Sequence, residues 1–179
     1  MNCWKSINLN RQYGNHKIFI LSLLTMLLSF IIIYTFISTG IASDRFNDNH
    51  IVFFLLIIFF MYPLHKILHL LPLLFVRNKI KIQNQPFMFV PLVTIKIVEP
   101  ISKWLFIVTL ITPFIVLTNL LLLYTFMFPF DAHYLTVLLS LHIGMCVSDF
   151  ITLKNILYSP PKCLIEEFED DIRLLIRKS

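Results

Sequence analysis

The chain has 179 residues, a net charge of +5, and 58% hydrophobic against 14% charged residues. That apolar share lies well above the ~45–50% of soluble domains and excludes both an ordinary soluble fold and a disordered one. The basic residues sit at the ends of apolar runs and in one loop, with no basic stripe, so no nucleic-acid partner is expected.

Residues 1–17 are polar and mildly basic, with Lys5, Arg11 and Lys17, and read as a cytoplasmic segment that is a short surface helix or irregular. Residues 18–37 form a first apolar span, too long for the core of a cleavable signal. A short polar loop with Asp44, Arg45 and Asp48 leads to a second span, 51–76, which carries Pro63, His65, Lys66 and His69. Pro63 removes a backbone donor two residues before His65 and can kink the helix there. In the loop 77–100, Lys79 to Gln83 alternates polar and apolar residues, Gln85-Pro86 reads as a turn, and Phe87 to Val98 is β-branched and aromatic. This predicts a β-hairpin, with Met88 to Val93 dipping into the interface and Pro100 starting the next helix.

The third span, 101–127, contains Pro113 and Asn119. A polar amide within a span needs a partner, so Asn119 is expected to face the bundle. The fourth span, 134–157, carries His142, Cys146, Ser148 and Asp149. Residues 158–179 form a cytoplasmic tail. Its acidic run Glu166 to Asp171, followed by Ile172 to Ile176, predicts a short amphipathic helix with its charges suited to the helix dipole. The expected fold is therefore an all-α polytopic membrane protein, with a membrane domain over 18–157 of four transmembrane helices and a small β-hairpin in the cytoplasmic loop. Both termini are expected in the cytoplasm, because lysine and arginine concentrate on that side and the outer loops hold only Arg45. The three cysteines, Cys3, Cys146 and Cys163, are scattered and imply neither a disulfide framework nor a paired-cysteine metal motif.

Helix geometry brings three of these residues together. His65 and His69 are four apart and share a helix face, as in the His-Glu-x-x-His zinc motif, but Lys66 holds the glutamate position. Counting ~1.5 Å per residue from the cytoplasmic ends, His69 and Asp149 lie at similar depth, ~10 and ~12 Å inside. Two imidazoles and one carboxylate suit a catalytic zinc with an open fourth position. The same groups equally suit a structural network in which Asp149 pairs with Lys66. His142, seven residues before Asp149, is placed to orient a ligand, and Ser148 and Asn119 join it as supporting or structural groups.

With this order of elements, the sequence resembles the DUF3267 family, small bacterial membrane proteins classed with the zincin peptidases and similar in plan to site-2-type intramembrane metalloproteases. The resemblance runs from about Phe53 to Ile172 and rests on His65-Lys66-Ile67-Leu68-His69, Pro113-Phe114 and Ser148-Asp149. It implies a multi-pass protein of the bacterial cell membrane, zinc as cofactor with His65, His69 and Asp149 as ligands, and a membrane protein or peptide as partner. Lys66 departs from the pattern, since a protonated lysine cannot activate water and opposes a nearby dication. The expected function is a metallopeptidase-like protein with weak or lost proteolysis, a pseudoenzyme. Two alternatives are a non-catalytic regulatory subunit that binds membrane proteins, and a subunit relaying ions or protons through Asp149 and the histidines.

Overall fold

The computed structural model describes residues 2–40, 50–87, 90–168 and 171–176, with side chains at all of these except 2, 77, 82–87 and 90–96. The chain order begins with β1 (Asn2–Ile7), α1 (Leu9–Tyr13), α2 (Asn15–Gly40) and α3 (Ile51–Leu73). A 3₁₀ segment, Leu74–Lys79, leads to β2 (Ile80–Phe87), β3 (Val90–Ile97) and β4 (Ile101–Ser102). Then follow α4 (Lys103–Met127), a 3₁₀ turn at Pro129–Asp131, α5 (Ala132–Met145), α6 (Val147–Leu157), β5 (Leu164–Phe168) and β6 (Asp171–Ile176).

Four helical stretches are long and apolar enough to cross a bilayer: Asn15–Gly40, Ile51–Val76, Lys103–Met127 and Pro129–Leu157. Much of their apolar surface faces outward, as lipid-facing helices require. The fourth span is not one helix, because a turn at Cys146 divides it into α5 and α6. α4 packs along both α3 and α5, and α2 lies along α5 with a smaller contact on α6. Gly144 allows that approach: a Cβ there would lie 2.9 Å from Met26 Cβ and 3.0 Å from the Ser22 carbonyl oxygen.

The β2–β3 hairpin is antiparallel, pairing Ile80 with Ile97 and Phe87 with Val90, as the alternation in the loop predicts. Met88 and Phe89 of the proposed dip and the loop charges Asp44, Arg45 and Asp48 lie outside the described residues, while Val90 to Val93 belong to β3. Three local expectations are corrected. The tail is not a helix: β5 and β6 form a hairpin and join a sheet of order β1-β6-β5-β4. Pairing with β1 and burial of Leu174 and Leu175 override the dipole-friendly charge pattern, since strand formation is decided by tertiary packing. The N-terminal segment accordingly begins as a strand, followed by a short helix capped by Asn8 and then by the start of α2. The third long helix starts at Lys103, not Pro100, because Ile101–Ser102 pairs with β5 and the Ser102 hydroxyl then accepts from the Leu105 amide at 3.3 Å.

One apolar core lies within the bundle, around Met61, Leu68, Leu117, Leu121 and Leu138. A second joins the terminal sheet to the helix ends through Ile7, Leu73, Ile101, Phe106, Ile156 and Leu174. The Lys103 ammonium is buried at that junction and donates to the carbonyls of Ser159 at 2.6 Å and Leu157 at 3.3 Å, closing the C-terminal end of α6. Because β1 and β6 pair, the two ends of the chain meet on one side of the spans.

Candidate metal centre

The site is built by α3, α4, α5 and α6. His65 and His69 project from one face of α3, and both are buried. Asp149 comes from the first turn of α6. Asp149 Oδ2 lies 3.0 Å from His65 Nε2 and 3.5 Å from His69 Nε2, and the two Nε2 atoms are 3.2 Å apart. These three atoms form a nearly equilateral triangle. One face of a zinc tetrahedron with bonds of 2.0–2.2 Å has edges of about 3.3–3.6 Å. The donor set therefore fits zinc in both chemistry and spacing.

The surrounding groups settle the His69 tautomer. His69 Nδ1 lies 2.8 Å from the Thr109 carbonyl oxygen. A carbonyl only accepts, so Nδ1 carries the hydrogen and a neutral ring presents a bare lone pair at Nε2. The sequence of α4 explains why that carbonyl is free. In a helix it would accept from the amide four residues on, which is Pro113, and proline has none. The buried Pro113 thus leaves the Thr109 oxygen unclaimed one turn away, where His69 takes it.

On the other side of His65, Nδ1 lies 3.4 Å from His142 Nε2. His142 is fully buried, with Thr118 Oγ1 3.4 Å from its Nδ1 and Cys146 Sγ 3.5 Å from its Nε2. His65, His142 and Cys146 make a second group of potential ligand atoms, sharing His65 with the first. Sequence reasoning placed His142 here and missed Cys146. The signal was present, because His142 and Cys146 are four apart and obey the same face rule as His65 and His69.

Lys66 does not pair with Asp149. Its Nζ sits 5.8 Å from the centre of the Tyr62 ring, and no ion pair of Lys66 occurs among the described residues. One position along the helix turns it about 100° from His65, while the carboxylate lies against the Nε2 atoms of the two imidazoles. Asn119 is also corrected: it is exposed, and its amide donates to the Ile115 carbonyl at 2.7 Å, so its own helix satisfies it. Pro63 is half-buried within α3, which runs on through it. Ser148 lines the cleft beside Asp149. Glu99, a conceivable substitute acid, is exposed on the turn before β4 and does not line that cleft.

Residues 58–164, more than half of the chain, match the family described as "Putative zincin peptidase" (DUF3267). The chain belongs to this family. The match covers α3 from its middle through the first residue of β5, and so includes every group of both ligand clusters. No curated protein and no solved structure matches the DUF3267 chain.

Proposed function

We propose that this DUF3267 protein is a membrane-embedded, zincin-like metal-binding protein in which proteolysis is weak or lost. The observation that carries this is the triangle of His65 Nε2, His69 Nε2 and Asp149 Oδ2, combined with a cleft that offers no second carboxylate among the described residues. His65, His69 and Asp149 would hold zinc. Zinc in that position supplies a Lewis acid for polarising a carbonyl and activating water.

The protein's own residues set the ligands beforehand. The Thr109 carbonyl holds the His69 hydrogen at Nδ1. His142 Nε2 receives the His65 Nδ1 hydrogen, which turns the His65 Nε2 lone pair toward the site, and Thr118 lies against the far nitrogen of His142. Partners of this kind are typically worth about 10–100-fold in metal affinity. Lys66 stands where the family's glutamate would take a proton from water. A lysine ammonium has no lone pair for that step. The same residue thus leaves the ligand set intact and removes the base.

A regulatory reading draws on one further observation. The β2–β3 hairpin forms a two-stranded sheet of its own, and its β2 edge pairs with no further strand among the described residues, so an extended partner can add there. The basic flanks favour a cytoplasmic position for this hairpin and for both termini.

The test is cleavage of a membrane-spanning peptide by the purified wild type and by Lys66→Glu. Silence in the wild type is expected, with activity gained in the variant if the substrate groove persists. Cleavage by the wild type that Lys66→Ala abolishes would overturn the pseudoenzyme reading.

A further inference from the structure

The cleft beside the metal centre has an uncommon combination of walls and charge. α2 and α3 both line the cleft but do not pack along one another. The cavity between them has a volume of about 460 Å³, within the ~300–1,000 Å³ of small-molecule sites. Its walls are apolar, with Phe19, Leu23 and Met26 on α2 and Leu141 and Met145 on α5. The lining also includes Lys66, Tyr62, Ser148 and the ligand residues His65 and Asp149. Lys66 is only partly exposed, about fifteen residues from one end of its span and ten from the other, so it sits near mid-membrane. A cation at that depth is costly unless something compensates it. No carboxylate pairs with it among the described residues, since Asp149 lies against the Nε2 atoms of His65 and His69.

We propose that this cleft binds a single-chain anionic amphiphile, with its carboxylate against Lys66 and its hydrocarbon chain between α2 and α3. The inference rests on the reading of Lys66 as a replacement that removed the base and left a cation. Charge selects the head: Lys66 and a metal dication are both positive, and Asp149 is engaged as a ligand. The walls select the tail. A peptide would bring an amide and a carbonyl with every residue, and each needs a partner where water is excluded. The lining residues are all helical, so no strand edge is offered, and Ser22, Tyr62 and Ser148 are too few to serve a peptide backbone. A fatty acid has one polar group, which Lys66 can pair with, and an apolar chain that matches the apolar walls.

The test is equilibrium binding of radiolabelled oleate to the full chain in phosphatidylcholine nanodiscs. Saturable binding is expected that oleyl alcohol, with the same chain and no charge, does not displace. Lys66→Met should weaken it by about tenfold or more, as loss of a charge-assisted hydrogen bond does, and Lys66→Arg should retain most of it. Leu23→Trp, which fills the cleft away from the head, should also reduce binding. Absence of saturable binding, equal displacement by oleyl alcohol, or unchanged affinity in a well-folded Lys66→Met protein would overturn the proposal. So would preferential binding of an apolar peptide with a free carboxyl terminus, which would make the cleft a peptide site. Zinc per chain, read on the same samples, separates this idea from the metal assignment. Lys66-dependent binding without zinc would sink the metal reading alone, and zinc without oleate binding would sink the amphiphile alone.

Discussion

Pro113 shows how one residue acts on the site from outside it. It removes an amide from α4, and the orphaned Thr109 carbonyl fixes the ring of His69 on α3. Pro113→Ala restores the amide, which then shares the Thr109 oxygen. Because a carbonyl has two lone pairs, the effect belongs at the low end of outer-partner losses, about tenfold in zinc affinity. Chelator-competition titration would measure it, and the helix itself should become no less stable, since alanine is the better helix former. A zinc affinity equal to wild type would show that the Thr109 contact does not matter. His142→Leu is expected to do more, about 10–100-fold, because it removes the acceptor of the His65 Nδ1 hydrogen and leaves that donor buried without a partner. The pairing of His65 with His69 was legible in the sequence because the i,i+4 rule is local. The Lys66–Asp149 pairing failed because depth along a span says nothing about which way a side chain turns, and a 100° step per residue moved Lys66 away.

At the scale of elements, α2 is the wall that shapes the cleft, and Gly144 sets its distance. Gly144→Val would drive a side chain into Met26 and the Ser22 carbonyl, where backbone cannot yield cheaply. Overpacking of this kind costs about 1–3 kcal/mol. Thermal unfolding of the detergent-solubilised protein should fall accordingly, with zinc content kept, since no ligand sits on α2. The terminal sheet has its own electrostatic tie. The Asn8 amide donates to Asp171 at 2.6 Å and the Ser6 hydroxyl at 2.8 Å, and these bonds hold the Asp171 carboxyl below its ordinary value. The folded pKa is thus lower than the unfolded one. The contribution is fully present above the unfolded value, ~3.9, and is lost as pH falls through the folded value. Amide exchange of β1 should rise only in that acid window, and Asp171→Asn should remove the pH dependence. The apolar helices and the β2–β3 hairpin were readable from runs and alternation. The four-stranded sheet was not, because β1 and β6 pair across almost the whole chain and no local pattern records so distant a partner.

Over the whole molecule, four spans and a sheet that joins the two chain ends agree on one arrangement. We propose from the basic flanks that this sheet faces the cytoplasm. A single cysteine introduced near Gln83, in a background where Cys3, Cys146 and Cys163 are replaced, should label only after the membrane is permeabilised. Labelling from outside intact cells would invert the topology. The central claim is that the buried triangle of His65, His69 and Asp149 is a metal site. Zinc per chain, measured on wild type and His65→Ala purified in parallel without chelator, tests it most directly. The account predicts about one zinc per chain in the wild type, the number one such site can hold, and its loss in the variant. A zinc-free wild type prepared from zinc-replete cells, or zinc that persists in His65→Ala, would contradict it.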